Sequence, residues 1–477
     1  MKILMVASEA RPFCKTGGLA DVSYSLSKEL AVMGQEVSIV LPYYKLVKEK
    51  SQPNVKKVTS FDIKMSWRVS TANVYVTYES GITYYFIENA QYFDRDGFYG
   101  YPDDAERFAF FVLAVKELMY QINLVPDIIH VHDWHPGMLP CIIKEDPYAN
   151  EFFNKTKFVM SIHNPAFQGM MPRSALGDYY GLSDALYDSG TVRFKDQVSS
   201  LKTAIMYSDK ITTVSPNHRY ELLTPEGSMG LSDVLRYREY DFVGILNGID
   251  YVEFCPSNDD KISKTYTAAT FEKGKAVNKA ELFARLGIKD YGHPCYAFVS
   301  RVTWQKGMDI LFPAVEELAK RGSNIVMLGS GEYGYEQKME ELRAKYPNNI
   351  AIYIGYNDEL AHKIYASSDF FLMPSLFEPC GLGQMIAQRY GTLPIVRRTG
   401  GLKDSVINYD GTNAETANGF GFDAYSADEM TRTCVYAYDT WWNEPLRKQL
   451  AKNAMKTDNS WKKSAKQYLT VYKSVKK

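Results

Sequence analysis

Short apolar segments of strand length alternate along this chain with segments of helical periodicity, and they do so in two separate runs. Because consecutive parallel strands must be joined by a crossover that is usually a helix, the alternation predicts an α/β protein built on parallel sheets. The first run predicts strands at residues 3–7, 37–41, 127–132, 157–162, 211–215 and 243–246. A hairpin of residues 73–78 and 82–87 is predicted at an edge of this first sheet.

The second run begins after a stretch rich in Asn, Asp, Ser and Pro at residues 247–264, where we place a domain boundary. It predicts strands at residues 295–300, 324–328, 350–354, 370–373 and 393–396. A chain of 477 residues is too long for one ordinary core, so two domains are expected. In such sheets, ligands bind at the carboxyl ends of the strands.

Composition excludes several classes of function. The formal net charge is -1, which argues against a nucleic-acid or anionic-membrane partner. No apolar stretch is long enough to span a bilayer. The six cysteines are scattered without a C-x-x-C pair, which is typical of the reducing cytosol. A cytoplasmic location is therefore expected.

A glycine-rich turn follows the first predicted strand, with the sequence Lys15-Thr-Gly-Gly-Leu-Ala-Asp-Val at residues 15–22. Gly17 and Gly18 lie where a helix begins, and glycines there let a ligand approach free backbone N–H groups that favour an anion. Lys15 adds a positive charge. Read alone, the motif could equally be a simple glycine turn.

The second half has charged and glycine-rich turns after its own strands. Arg301 and Lys306 follow one strand, and a planar guanidinium with a compact ammonium suits a diphosphate. The alternative is a solvated basic turn. Glu378 precedes Gly381 after another strand, and without further context it could be a helix cap.

Three histidines lie close together in the segment His130-Val-His-Asp-Trp-His135. On a strand, His130 and His132 would share a face, and such clusters can bind metals in hydrolases. A metal-dependent hydrolase that uses His130, His132 and His135 is therefore an alternative, against buried or loop histidines.

Taken in order along the chain, the motifs resemble those of the retaining glucosyltransferase family shared by bacterial glycogen synthases and plant starch synthases. The matching segments are residues 15–22, 132–135, 161–164, 247–250, 301–306, 378–382 and 398–402. This resemblance implies two facing Rossmann-like domains, the GT-B architecture, with a deep interdomain cleft. It implies an acceptor-side domain at 1–246, a nucleotide-sugar-binding domain at 247–455, and a C-terminal helix at 456–477 that crosses back to the first domain.

The resemblance also implies the reaction, which is transfer of glucose from ADP-glucose to the non-reducing 4-hydroxyl of glycogen or another α-1,4-glucan, with retention of configuration. The implied catalytic residues are Arg301 and Lys306 on the diphosphate, Glu378 on the donor glucose, His163 near the anomeric carbon, and Asp133 on a sugar hydroxyl. The implied substrate-binding residues are Lys15, Gly17, Gly18, Asp21, Asn164, Asn247, Tyr356, Cys380, Gly381, Leu382, Gly400 and Gly401.

No metal and no cofactor is assigned. Retaining glycosidases use a pair of carboxylates, and the matched motifs offer no evident partner for Glu378, which favours front-face transfer within an ion pair. A non-catalytic glucan-binding protein is a further alternative. Such a protein would need broken donor residues, whereas Lys15, Arg301, Lys306 and Glu378 are all present.

Overall fold

The computed structural model describes residues 1–51 and 54–476 and divides into two compact units. The first comprises Met1–Ile245 with Ser464–Lys477, and the second is Leu246–Lys463. Gln52 and Pro53, within the predicted domain 1–246, and Lys477, at the end of the predicted helix 456–477, lie outside the described residues.

The first unit is built on a nine-stranded sheet in the order β12-β11-β7-β6-β1-β2-β5-β4-β3. Its strands, with those of a small separate sheet (β8 to β10), are β1 Lys2–Val6, β2 Glu36–Pro42, β3 Lys56–Met65, β4 Arg68–Glu79, β5 Ile82–Glu88, β6 Ile128–His132, β7 Lys157–Ile162, β8 Met170–Met171, β9 Arg193–Phe194, β10 Gln197–Ser199, β11 Lys210–Thr213 and β12 Phe242–Gly244. The predicted hairpin is β4 and β5, but the sheet edge is β3, which the sequence analysis missed. Most side chains of β3 are exposed or half-buried, so the strand lacks a clear apolar pattern.

The helices of the first unit connect these strands. They are α1 Gly18–Val32, α2 Ala90–Phe93, α3 Asp104–Gln121, α4 Leu139–Lys144, α5 Pro147–Phe152, α6 Ala175–Tyr180, α7 Ala185–Asp188, α8 Ser200–Tyr207, α9 Pro216–Leu222 and α10 Ser232–Tyr237. Helix α1 buries Leu19, Val22 and Leu26, which recur at helical spacing. It ends before Gly34, whose φ of 79° is the left-handed conformation that glycine adopts without strain.

The second unit has a six-stranded sheet in the order β15-β14-β13-β16-β17-β18, and every pair in it is parallel. The strands are β13 Cys295–Val299, β14 Asn324–Gly329, β15 Ile350–Ile354, β16 Phe370–Met373, β17 Leu393–Arg397 and β18 Phe420–Phe422. The helices are α11 Phe271–Leu286, α12 Met308–Lys320, α13 Tyr333–Lys345, α14 Asp358–Ser367, α15 Gly383–Arg389, α16 Gly400–Ser405, α17 Ala427–Trp441 and α18 Glu444–Lys456. The predicted α/β architecture is thus confirmed.

The core of the second unit lies between this sheet and its covering helices. Leu311, Val315 and Leu318 of α12 are fully buried in one cluster with Phe298 of β13 and Phe370 of β16. Burial of each such side chain contributes about 1.5–3 kcal/mol, so the apolar face of α12 fixes this helix on the sheet.

The last helix, α19, spans Trp461–Val475, and the division between the units falls inside it, at Ser464. It begins later than the predicted residue 456, because Asp458 forms a turn by accepting hydrogen bonds from the Ser460 N–H and hydroxyl. None of the helices in the described part of the chain combines the length and apolar character needed to cross a membrane.

Candidate functional site

Each large sheet has a point where the strand order reverses. In the first unit β1 and β6 are neighbours, with β2 on one side and β7 on the other. In the second unit β13 lies between β14 and β16. Ligands of open parallel sheets bind outside the carboxyl ends of the strands at such reversals. The predicted motifs of both halves follow these strands.

The glycine-rich turn after β1 is held by Glu9, a residue that the sequence analysis did not single out. The Glu9 carboxylate is buried and accepts hydrogen bonds from the Thr16 N–H, the Gly17 N–H (3.4 Å) and the Thr16 hydroxyl (2.6 Å). The Tyr99 hydroxyl donates to the same carboxylate. The Gly17 N–H, which we predicted would face a substrate anion, therefore serves an anion of the chain itself.

Lys15 and Asp21 form an ion pair over this turn, with the ammonium 2.8 Å from the carboxylate. Arg11 contacts the same carboxylate at 3.2 Å, so Asp21 shares one negative charge between two cations. The Lys15 side chain is 51% exposed, and a Cβ added at Gly17 or Gly18 would meet no atom within 4 Å. The space above the turn is therefore open to a ligand, with Lys15 at its side.

Asp133 ties the loop after β6 to the loop after β7. Its carboxylate accepts hydrogen bonds from the backbone N–H groups of His163 (2.7 Å) and Asn164 (3.4 Å). Its φ of 58° is left-handed, a conformation that Asp and Asn tolerate. Burial raises the pKa of Asp133 to about 7, although the two backbone hydrogen bonds lower it. The carboxyl group can therefore hold or release a proton near neutral pH.

The predicted histidine cluster does not favour the metal-site alternative. Both ring nitrogens of His130 form hydrogen bonds, to the Tyr472 hydroxyl at 2.7 Å and the Ser161 hydroxyl at 2.8 Å. His132 Nδ1 contacts His163 Nε2 at 3.0 Å, and His135 Nδ1 contacts the Ser8 hydroxyl at 3.2 Å. Burial lowers the pKa values of His130, His135 and His163 to about 3, so all three rings are neutral.

Within residues 1–51 and 54–476, the group whose geometry could hold a metal ion lies elsewhere, at Glu253, Asp358 and His362. The Lys261 ammonium lies 2.5 Å from the Asp358 carboxylate and 3.3 Å from His362 Nε2. This cation of the chain already pairs with one of the two carboxylates, and a metal ion would have to displace it.

A cavity of about 310 Å³ lies beside Trp134 and His135 in the first unit. Its walls combine aromatic rings with smaller and polar groups, among them Gln168. The aromatic lining residues are Tyr101, Phe108, Trp134, Phe167 and Tyr180. Flat apolar rings with a few polar groups suit a sugar ring. Apart from Trp134, sequence analysis did not find these residues, because they come from separate elements.

In the second unit, three glycines allow the loops after β13, β16 and β17 to pack closely. A Cβ at Gly307 would lie 2.1 Å from the Pro374 carbonyl oxygen. At Gly400 it would lie 2.0 Å from the Glu378 carbonyl oxygen, and at Gly401 2.2 Å from that of Cys380. No larger side chain fits at these distances. The glycines therefore bring the predicted residues of all three loops together.

Lys306 and Glu378 form a largely buried ion pair in this group of loops. The Lys306 ammonium lies 2.6 Å from Glu378 Oε2, and the two side chains are 13% and 10% exposed. The Ser375 hydroxyl donates to the same oxygen at 2.9 Å. Arg301 is exposed, and its guanidinium has no partner among the described residues. Arg301 is therefore available to a ligand anion, whereas Lys306 is already balanced by Glu378.

The remaining predicted residues of the second unit lie around this pair. Cys380 is buried, receives a backbone hydrogen bond from Asn247, and has a thiol pKa raised to about 12 by burial, which excludes a thiolate nucleophile. Gly381 has a φ of 72°, and Leu382 directly precedes the first residue of α15. Tyr356 follows β15, two strands away from β13, and is 87% exposed.

Comparison with known proteins gives matches over both units. Residues 2–237 match the family model of the starch synthase catalytic domain, and residues 279–457 match that of glycosyl transferases group 1. The chain is 45% identical to a glycogen synthase of Clostridium beijerinckii over 477 residues, which cover 100% of this chain and 99% of the relative. It is 41% identical to a glycogen synthase of Geobacillus stearothermophilus, with 100% and 98% covered.

Among solved structures, the chain is similar to the catalytic domain of starch synthase IV from Arabidopsis thaliana bound to ADP and acarbose. The TM-score is 0.90 at 32% identity, and 99% of each chain is covered. A sucrose-phosphate synthase from Thermosynechococcus elongatus aligns with a TM-score of 0.59 at 15% identity, which is a likeness of fold alone.

Proposed function

Because the chain belongs to the glycosyltransferase family of glycogen and starch synthases and has their two-domain GT-B fold, we propose that it elongates glycogen or a related α-1,4-glucan with glucose from ADP-glucose. The glucosyl group is transferred to the non-reducing 4-hydroxyl with retention of configuration. The family, fold and enzyme class predicted from the sequence are confirmed by these full-length matches.

One observation carries the proposed chemistry: Arg301 and Lys306 follow β13, Glu378 follows the neighbouring parallel strand β16, and Lys306 and Glu378 form an ion pair. The exposed Arg301 guanidinium suits bidentate binding of a phosphate. Negative charge grows on the leaving diphosphate as the bond from the anomeric carbon to oxygen breaks. A fixed cation such as Lys306 stabilises that charge most in the transition state.

Glu378 orients the donor glucose in this proposal. Lys306 and Ser375 both contact Oε2, so Oε1 can accept a hydrogen bond from a sugar hydroxyl. Tyr356 offers an exposed ring on which adenine can stack. Gly401, whose N–H donates to the Glu378 carbonyl at 3.1 Å, holds the loop that carries this carboxylate. Front-face transfer within an ion pair remains a prediction.

The first unit supplies groups for the sugars. Asp133, with a pKa near neutrality, accepts a hydrogen bond from a sugar hydroxyl. His163 contacts the donor glucose as a neutral ring. Lys15 adds positive charge for the diphosphate, and the aromatic cavity beside Trp134 receives glucose units of the acceptor.

The proposed setting is cytoplasmic, without nucleic-acid or membrane partners. All six cysteines are free thiols, and five of them are buried, which supports a reducing compartment. The net charge of -1 offers no general attraction to polyanions.

The direct test incubates the full-length protein with glycogen and either ADP-glucose or UDP-glucose, in excess EDTA, and measures release of ADP or UDP. We expect release from ADP-glucose, with kcat/KM at least about tenfold above that for UDP-glucose, a difference of about 1.4 kcal/mol. When a maltooligosaccharide replaces glycogen as the acceptor, proton NMR of the elongated product should show a new α-linkage. A reaction abolished by EDTA and restored by a divalent ion would revive the metal-dependent alternative.

We expect Phe167→Ala to raise the KM for glucan about three- to tenfold while the KM for ADP-glucose stays unchanged. Phe167 lines the aromatic cavity and is 63% exposed, so its loss removes a stacking surface worth about 1 kcal/mol without opening the core. Tyr240→Ala, which removes an aromatic ring that is 99% exposed and does not line the cavity, is the matched control. An equal rise of the glucan KM in both variants would contradict binding of the acceptor in this cavity.

A further inference from the structure

A pair of histidines joins the carboxyl ends of β6 and β7. His132 Nδ1 lies 3.0 Å from His163 Nε2, and the two rings are stacked with centroids 5.3 Å apart. His132 is fully buried, whereas His163 is half-buried. The proposed function assigns the donor sugar to His163 and leaves His132 without a role.

A series of hydrogen bonds connects the neighbouring ring, His130, to three hydroxyl groups, those of Tyr472, Ser161 and Thr212. In one arrangement that satisfies every hydroxyl, Thr212 donates to the Met160 carbonyl at 3.2 Å and accepts from Ser161, 2.6 Å away. The single proton of the Ser161 hydroxyl is then donated to Thr212, so this hydroxyl accepts from His130 Nε2–H. His130 Nδ1 consequently accepts from the Tyr472 hydroxyl. In this arrangement His130 is a neutral ring protonated at Nε2.

The surroundings of His132 decide its own tautomer. Its Nε2 is buried and has no hydrogen-bond partner among the described residues. A proton on that nitrogen would be a buried N–H without an acceptor, which is rarer and less tolerated than an unpaired lone pair. The proton is therefore on Nδ1, where it donates to His163 Nε2. His163 in turn carries its proton on Nδ1, because its Nε2 is the acceptor.

We propose that His132 is a positioning residue that fixes His163 as the Nδ1–H tautomer, so that His163 meets the donor glucose as a hydrogen-bond donor and not as an acceptor. The Nδ1 of His163 has no partner among the described residues, so this N–H is free for a sugar oxygen. Burial lowers the pKa of His163 to about 3, so the ring is neutral at physiological pH. A neutral ring carries a single proton, and the tautomer states which nitrogen holds it. The contact between His163 and the sugar rests on the proposed function. The tautomer of His163 rests only on the hydrogen bonds described above.

The tautomer can be measured on the resting full-length protein without substrate. A long-range ¹H–¹⁵N correlation spectrum of perdeuterated protein with ¹⁵N-labelled histidine reports all seven rings, and His163→Gln assigns the His163 signals. We expect a protonated-type ¹⁵N shift at Nδ1 and an unprotonated-type shift at Nε2 of His163. The opposite pattern, or an average of the two tautomers, would overturn the proposal.

Two substitutions of His132 test the consequence. His132→Asn can place an amide N–H near the position of Nδ1, whereas His132→Leu offers no donor. We expect His132→Leu to lower kcat/KM for ADP-glucose about tenfold and to give mixed tautomers at His163. His132→Asn should retain most of the activity and the Nδ1–H signal of His163.

Tyr472→Phe is the matched control, because it removes a hydrogen bond of the same buried series without touching the pair of His132 and His163. It should lower the Tm but leave kcat/KM and the His163 spectrum unchanged. If the loss of kcat/KM is proportional to the loss of Tm in both Tyr472→Phe and His132→Leu, the role of His132 is structural only and the proposal is refuted. If His132→Leu fails to fold, the wild-type spectrum and the His132→Asn variant still test the proposal.

Failure of the inference and failure of the proposed function are distinguishable. A wild-type protein that releases no ADP in the glucan assay contradicts the proposed function, while the resting-state spectrum still tests the tautomer. An active wild-type protein with His163 protonated at Nε2 contradicts the inference alone.

Discussion

Replacement of Lys306 by alanine is expected to lower kcat for glucose transfer by at least about 10²-fold, while the KM for glucan changes little. The reason is that this cation stabilises charge that appears on the diphosphate in the transition state, and one such electrostatic group typically contributes 10²–10³-fold. Measurement of ADP release over a range of ADP-glucose and glycogen concentrations separates kcat from the two KM values.

The same substitution should also destabilise the second unit, by about 3 kcal/mol. The Lys306 and Glu378 side chains are 13% and 10% exposed, so removal of the ammonium leaves a largely buried carboxylate without its counter-ion. The double variant Lys306→Ala/Glu378→Gln should recover much of the Tm but none of the activity. Lys320→Ala, at a lysine that is 55% exposed on α12, controls for loss of a surface charge. Unchanged kcat with only a raised glucan KM would contradict the assignment of Lys306.

Asp133→Asn is expected to make the protein more stable than wild type at pH 8 and no more stable near pH 4. In the folded protein burial raises the pKa of Asp133 to about 7, above the ordinary value of 3.8. The folded state therefore binds this proton more tightly than the unfolded state. The resulting stabilisation is fully present below about pH 4 and is lost as the pH rises through 7. The loss is on the order of 4 kcal/mol at full deprotonation.

Asparagine is the suitable replacement, because it tolerates the left-handed φ of 58° and can accept the hydrogen bond from the His163 N–H. Thermal unfolding of both proteins at pH 4, 6 and 8 measures the effect, and ADP release at the same pH values measures its cost. We expect activity to fall at least about tenfold, since the carboxylate that accepts from a sugar hydroxyl is gone. A difference in Tm that is the same at every pH would show that Asp133 does not titrate near neutrality.

Local pattern was sufficient to predict most strands of both units. Strands such as β1, β7 and β16 are short, mainly apolar and separated by helical segments, so parallel sheets with residues 15–22, 301–306 and 378–381 at their carboxyl ends follow from the sequence. The exposed edge strand β3 could not be predicted in this way, because it buries few side chains and is defined by its pairing with β4.

The sequence by itself determined which residues follow the strands, the family and thus the class of chemistry. The tertiary structure decided how those residues are paired: Glu9 rather than a substrate accepts from Gly17, Lys306 is balanced by Glu378 while Arg301 has no partner within residues 1–51 and 54–476, and His132 contacts His163. The Lys306–Glu378 and His132–His163 contacts join residues far apart in the chain, and the strengths of all these contacts depend on burial. Both distance and burial are properties of the packed molecule, so the protonation of Asp133 and the tautomer of His163 cannot be read from the order of the residues.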